Sequence, residues 1–441
     1  MRTQRLARRS SALSRREFLA LSAASTAAVV AGCATNPVTG RSQLMLFSEA
    51  DEIDLDTKWS PHQFSADYGA VQDAAVNDYV AKIGAEMAAL SYRPHMPYSF
   101  RVLNAVVVNA YTFPAGSIGV NRGLLVNLNN EAELAAVVGH EIGHVSYRHA
   151  GEEMSKGMLV ELAVAGLTAY VAYRKEKYAW VAAGLGAGGA AMLLCRYSRD
   201  DEREGDEIGM KYMVGAGYNP GGMAGVMEGF LKLQKEKPNS VDLLFSSHPL
   251  SEERYQTALA RIRSDYVDKT GLPDYRDRYM DHTAKLRAIK DAIDLMEKGE
   301  ESMGEEKYAE AEKQFAAALK KAPDDYAGLA MMAKCCLAQK RNADAQRYAA
   351  QAKAVYPGEP QAVHICGMAK MEQRKLDAAL AEFSDYEAKL PGNPNTIYYK
   401  GLCHEKMARK EQAAAEYQRY LEDAPEGEFA EYVQGRLVEW G

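Results

Sequence analysis

No apolar run in this 441-residue chain reaches the ~20 residues that a helix needs to cross a bilayer. The two longest, Met158–Tyr173 and Tyr178–Cys195, are rich in Ala and Gly and flank a charged turn, Arg174-Lys175-Glu176-Lys177. They read as a helical hairpin, buried or facing a membrane surface, and not as a pair of spans. Basic residues are in the minority, 53 Lys+Arg against 60 Asp+Glu, for a net charge of −7. With no basic helix or aromatic stacking platform to offset that balance, nucleic acid is excluded as an expected partner. Cysteine is scarce. There are six, none in a CxxC pair, so a cysteine zinc site is not expected. Cys335, Cys336, Cys366 and Cys403 fall at apolar positions of a helical region, where a free thiol behaves as a small hydrophobe. What remains is ordinary for a globular protein, 47% hydrophobic and 26% charged residues, over a length that calls for two or three domains.

The N-terminus has the character of a targeting segment. Ser14-Arg15-Arg16-Glu17-Phe18-Leu19 resembles the bacterial twin-arginine export signal, and an apolar stretch from Leu19 ends in Val30-Ala31-Gly32-Cys33, which resembles a lipobox. Residues 1–32 are then a lipoprotein signal peptide, and Cys33 is the lipidation site. Two or more acyl chains give stable anchoring where one would be marginal. Ala34, not Asp, follows the cysteine. By analogy with bacterial lipoprotein sorting, this favours the outer membrane over the inner one, on the periplasmic side of the cell envelope. Residues 33–52, with the turn-rich Asn36-Pro37-Val38-Thr39-Gly40, read as a tether.

His140-Glu141-Ile142-Gly143-His144 is the most informative stretch. On a helix, residues four apart share a face, so both imidazoles can hold one metal ion while Glu141 beside them reaches a water as general base. The lead-in Glu131–Val138 is rich in helix formers with acids in the first turn, and Asn129 or Asn130 suits the N-cap. Ahead of this helix, Tyr98–Val108 reads as a strand, Asn109–Gly116 as a turn, and Ser117–Asn121 as a second short strand.

Catalytic zinc takes three protein ligands and keeps one position open. Downstream, Tyr197–Asp206 offers the third. Glu202 and Asp206 share a helical face, so Glu202 can bind the metal while Asp206 accepts a hydrogen bond from a ligand histidine. Glu204, on roughly the opposite face, is the rival ligand. His149 lies five residues past His144 and reads as a helix-end residue. His62, His95, His282, His364 and His404 have no partner pattern.

The C-terminal third repeats. Pro323, Pro357, Pro391 and Pro425 stand 34 residues apart, preceded at fixed offsets by Ala311, Ala345, Ala379 and Ala413, and by Gly299, Ala333, Gly367 and Gly401. Small residues where two helices cross, and a proline after the second helix, resemble the tetratricopeptide repeat. Four units fit residues 292–427 within a repeat domain at 281–441.

HExxH, then Tyr197-Ser198-Arg199 and an ExxxD helix, resembles the HtpX and CAAX-prenyl-protease family of gluzincin metallopeptidases. Asn109-Ala110-Tyr111 through Pro114 and Gly116 resembles that family's segment ahead of the metal helix, and Ser247-His248-Pro249 with Arg254 its HP…R element. The match covers about residues 36–265. With a lipobox before it and repeats after it, the layout is similar to periplasmic proteases of the BepA type. The resemblance implies a mainly α fold, in which a zincin-like metallopeptidase domain at 53–280 (helices plus a small sheet) precedes an α-solenoid of tetratricopeptide repeats. It implies one Zn2+ per chain on His140, His144 and Glu202, with Glu141 as base and Asp206 behind the ligands. His248 and Arg254 join the catalytic set. Two readings of His248 stand: it stabilises the oxyanion, or it fills the open metal position at rest. The strand Ser117-Ile118-Gly119-Val120, with Asn109, would offer an edge for an extended substrate.

The implied function is a membrane-anchored zinc metalloendopeptidase acting on unfolded or misassembled envelope proteins, with the repeats docking on outer-membrane assembly proteins. The alternative is a repeat-based chaperone or adaptor with latent or rare proteolysis.

Overall fold

The computed structural model describes residues 33–165 and 197–441. The segment expected to be a signal peptide, 1–32, and most of the hairpin expected at 158–195 lie outside the described residues. Among the described residues no helix is long and apolar enough to cross a membrane.

The chain enters as a hairpin, β1 (Cys33–Thr35) antiparallel to β2 (Ser42–Leu44). This corrects the expected tether at 33–52. Asn36 and Gln43 are buried, and each side-chain amide donates to the Tyr147 carbonyl, at 3.2 and 3.1 Å. Met45 and Phe47 pack with Leu55 and Trp59 of the next helix. The segment is ordered because its polar groups find fixed partners at the end of the metal helix. Helix α1 (Glu49–Ala66) starts at a capping box, Ser48 with Asp51, and α2 (Ala74–Ala88) is capped by Asp73.

A three-stranded sheet follows: β3 (Ser99–Leu103), β4 (Ala110–Thr112) and β5 (Ser117–Asn121), in the order β3-β5-β4. β5 runs parallel to β3, with Phe100 opposite Ile118, and antiparallel to β4, with Tyr111 opposite Gly119. After the short α3 (Arg122–Leu125), the metal helix α4 (Glu131–Tyr147) is buried along its whole length. α5 (His149–Ala165) leaves its C-terminus. α6 (Arg199–Gly215), α7 (Gly221–Glu236), α8 (Asp242–Ser247), α9 (Glu252–Ser264) and α10 (Arg276–Ala288) complete the first half.

Four helix pairs build the second half: α11 (Lys290–Gly304) with α12 (Tyr308–Lys321), α13 (Tyr326–Ala338) with α14 (Asn342–Val355), α15 (Pro360–Glu372) with α16 (Leu376–Lys389), and α17 (Pro394–Lys406) with α18 (Lys410–Asp423). α19 (Ala430–Trp440) closes the stack. The 34-residue period has a packing cause. Gly299, Gly367 and Gly401 each sit under an aromatic ring, Phe315, Phe383 and Tyr417, so close that a Cβ would lie 2.3, 2.6 and 2.5 Å from it. The second unit has Ala333 and Ala349 at the same two positions, both fully buried. A larger small residue thus coincides with a smaller partner, which conserves volume at the crossing. The backbone repeats as well: Glu306, Lys340, Arg374 and Ala408 are all left-handed, with φ near 60°, in the turn inside each pair.

The two halves meet across a polar seam. Arg122 clasps Asp325 with both terminal nitrogens, at 2.5 and 3.0 Å, and both side chains are almost wholly buried. At the end of α1, Ser65 donates to Glu359 at 2.5 Å, the Gln361 amide donates to the Ser65 carbonyl at 2.8 Å, and Tyr68 donates to Glu300 at 2.8 Å.

Candidate metal centre

α4 and α6 cross at glycines. A Cβ on Gly139 would lie 2.8 Å from the Gly209 carbonyl oxygen, and one on Gly209 would lie 2.7 Å from the His140 nitrogen. Only this close approach lets the short Glu202 side chain meet both histidines. Asn130, of the two candidates, caps α4 by accepting from the Glu133 amide at 2.9 Å. Ser198 caps α6 in a capping box with Asp201, and Tyr197 just before it stacks on His144, rings 3.9 Å apart. The Tyr-Ser-Arg triplet therefore starts the helix and steadies a ring.

His140 Nε2 and His144 Nε2 are 3.0 Å apart, and the Glu202 oxygens lie 3.7 and 3.5 Å from them. Ligand atoms ~2.0–2.1 Å from one tetrahedral centre stand roughly 3.3–3.4 Å apart, so the spacing suits a zinc-sized ion. His248 Nδ1 joins the same group, 2.9 Å from Glu202 and 3.4 Å from His140 Nε2. The donor set, three imidazole nitrogens and one carboxylate, is of the kinds that zinc takes, and all four side chains are buried.

The sequence profile of peptidase family M48 matches residues 74–262, a span that contains every one of these groups. The chain carries an M48 peptidase domain. Two tetratricopeptide-repeat profiles match residues 302–366 and 367–428. Among relatives, the mitochondrial metalloendopeptidase OMA1 of Arabidopsis thaliana is 29% identical over 245 residues, 54% of this chain and 47% of that protein. The beta-barrel assembly-enhancing protease of Escherichia coli K12 is 26% identical over 223 residues, 50% of this chain and 44% of the relative. Metalloprotease YcaL of the same organism is 28% identical over 259 residues, 56% of this chain and 97% of the relative. The chain spans less than half the length of the first two.

Within the M48 domain, Arg254 is a clamp. Its Nη1 donates to Glu202 at 2.5 Å and to the Pro249 carbonyl at 3.0 Å, while Nε and Nη2 each donate to Asp206 at 2.7 Å. It therefore holds two carboxylates and does not face a reacting bond. Asp206 lies 3.1 Å from His140 Nδ1 and backs that ligand. Burial works against the charge of both carboxylates. The imidazoles of His248 and His140 and the Arg254 guanidinium nevertheless hold Glu202 well below the usual range, and Arg254 and His140 lower Asp206. Burial, together with the nearby His140, pushes His144 well below its ordinary value, which keeps it a neutral ligand. Burial raises Glu141. Its Oε2 is buried with no hydrogen-bond partner among the described residues, which suits a proton acceptor.

The substrate edge is not where the sequence placed it. β5, with Ser117, Ile118 and Gly119, is the central strand, hydrogen-bonded on both sides. The segment read as a turn contains β4, which pairs with β5 and takes the edge. Asn109, just before β4, accepts from the Asn121 amide at 3.0 Å. Ala110 of β4 lines an apolar recess beside His140 and Glu141, together with Val137, Met223, Met227, Phe230 and Leu244. Two further residues, read from sequence as a helix-end histidine and a rival ligand, take another place. His149 packs its Nδ1 2.8 Å from His144 Nδ1, and Glu204, the rival ligand, lies 3.0 Å from His149 and not in the metal group. No periodicity could have placed His149, because a turn in the chain brings it back.

Proposed function

We propose that this chain is a zinc metalloendopeptidase of the cell envelope, anchored through Cys33 on the periplasmic side of the outer membrane, that cleaves unfolded or misassembled envelope proteins brought to it by its repeats. The constellation of His140, His144 and Glu202 around one point, with Glu141 beside it, carries the reading. A zinc ion there would polarise the peptide carbonyl and make a water more acidic. Glu141 takes the proton of the attacking water and returns it to the leaving amine. An extended substrate adds to the edge strand β4, and the recess of Met223, Met227 and Phe230 receives an apolar side chain next to the cut bond. Support for the envelope comes from the lipobox-like Val30–Cys33 and from the name of the E. coli beta-barrel assembly-enhancing protease.

One observation favours the second reading, an adaptor with latent proteolysis. His248 Nδ1 lies in the same group of atoms, 2.9 Å from Glu202 and 3.4 Å from His140 Nε2, and there it would take up the position that catalysis needs open. Both readings meet one test. Glu141→Gln should retain zinc and lose cleavage of an unfolded test protein, and His248→Ala should raise cleavage if the imidazole closes the site. Undiminished cleavage by Glu141→Gln would refute the mechanism.

A further inference from the structure

The two histidines on α4 have different support. His140 meets a carboxylate directly, whereas behind His144 lies a second imidazole. On an unbroken helix His149, five residues on, would point well away from His144. The chain instead turns at Arg148, whose backbone is left-handed with φ 64°. That conformation costs a non-glycine residue on the order of 1–3 kcal/mol and persists only where its surroundings enforce it. Here they do. Arg148 Nε donates to both oxygens of the buried Glu52, at 3.0 and 3.2 Å, and Nη2 to the Phe47 carbonyl at 2.9 Å. Glu52 also receives Arg93, whose other terminal nitrogen donates to the Val145 carbonyl at 2.9 Å. The end of the metal helix is thus locked in the one geometry that folds His149 back under His144. Tyr197 lies flat on His144 and Tyr147 on His149, ring centroids 3.9 and 5.1 Å apart, holding both imidazoles in plane.

The proton positions then follow by elimination. For His144 to offer the lone pair of Nε2 to a metal, its proton must be on Nδ1. That N–H points at His149 Nδ1, 2.8 Å away, which must therefore be the acceptor. The His149 proton is then on Nε2, and there Glu204 Oε2 lies 3.0 Å away, with Asp201 Oδ1 at 3.6 Å. Each link admits one direction. The same logic removes a rival use of this corner: His149, Asp201 and Glu204 are spaced to hold a cation of their own, but Nε2 carries a proton whenever His144 holds metal.

We propose that His149 and Glu204 are positioning residues for the metal. Together they form a carboxylate–imidazole relay that fixes the tautomer of His144 and passes the Glu204 charge to it, as Asp206 does directly for His140. The inference rests on the metallopeptidase reading of the site. A half-exposed carboxylate two hydrogen bonds from the metal thereby bears on how tightly the metal is held.

The test is zinc affinity of the full chain by competition with a chromophoric chelator, read beside the melting temperature of each metal-free protein. His149→Phe keeps a flat ring but removes the acceptor, and should weaken zinc binding roughly 10–100-fold. His149→Asn offers an amide oxygen near the position of Nδ1, and should recover part of that loss. Glu204→Gln, a half-exposed position that does not threaten folding, keeps the acceptor and removes the charge. It should weaken binding several-fold at an unchanged melting temperature. Zinc uptake by the unaltered chain with the same affinity in Glu204→Gln and His149→Phe would overturn the relay and leave the metal site standing. An unaltered chain that takes up no zinc would overturn both.

Discussion

The seam between the peptidase half and the repeats should weaken as pH rises from 4.5 to about 7, and Glu359 is the group that makes it do so. Its side chain is buried between the end of α1 and the start of α15, where it accepts from Ser65 and from the Gln361 backbone amide at 3.1 Å. Burial pushes its carboxyl up from an ordinary 4.5 to about 7, against the pull of those donors and of Lys334. The folded chain therefore holds this proton more tightly than the unfolded chain. The group costs nothing below the unfolded value of 4.5, and its penalty grows as pH rises and is complete above about 7. At 1.36 kcal/mol per unit, that interval comes to about 3 kcal/mol. Glu359→Gln keeps an acceptor for Ser65 and Gln361 without the charge. In urea unfolding across a pH series, the variant should match the unaltered chain near pH 4.5 and exceed it by up to about 3 kcal/mol at pH 8. Asp67, Glu300 and Lys334, which share the seam, are present in both proteins and drop out of the difference to first order. A gap that stays constant with pH, or an unaltered chain that is the more stable at pH 8, would refute the argument.

Three further outcomes follow from burial, close approach and open space. Arg122→Met leaves Asp325 buried without its partner and should cost about 3–5 kcal/mol, seen as lost hydrogen-exchange protection in both α3 and α13. Adding Asp325→Asn, which can still cap the Gly328 amide, should restore most of it, and a loss under ~1 kcal/mol in the single variant would mean that the seam is not closed. Gly209→Ala places a methyl 2.7 Å from the His140 backbone and should cost about 1–3 kcal/mol and weaken zinc binding. Gly229→Ala, in α7 with open space around it, should instead gain about 0.5–1 kcal/mol in thermal unfolding.

What the sequence made legible was whatever recurs along the chain. The 34-residue columns are packing contacts that repeat because helix crossings repeat, so small residues at Gly299, Ala333, Gly367 and Gly401 mark them without any structure. His140 and His144, or Glu202 and Asp206, are readable because four residues on a helix return to one face; His140, His144 and Glu202 meet around one point, with Asp206 behind His140. The strands were harder. β4 is only three residues long and lies inside a stretch that reads as turn, so the sequence points to its neighbour β5 as the edge. In a sheet of three strands, adding one short strand converts an edge into a centre.

The residues that the sequence left unassigned are those whose partners are set by turns and seams. His149 reaches His144 only through the left-handed Arg148, and Arg148 holds that conformation only because Glu52, far off in the chain, is buried against it. Arg254 is equally unreadable as a clamp until α9 is laid against α6, and the Lys334–Glu359 seam until the repeats close on α1. These groups share a physical property: each is a charge or strained backbone that the interior tolerates only with a specific distant partner. The metal ligands lie in local periodicity, whereas the arrangement that holds them in one protonation state is spread over Glu52, Arg148, His149, Glu204 and Arg254. Substituting any one of these should therefore change how tightly the site holds its metal more than it changes which atoms hold it.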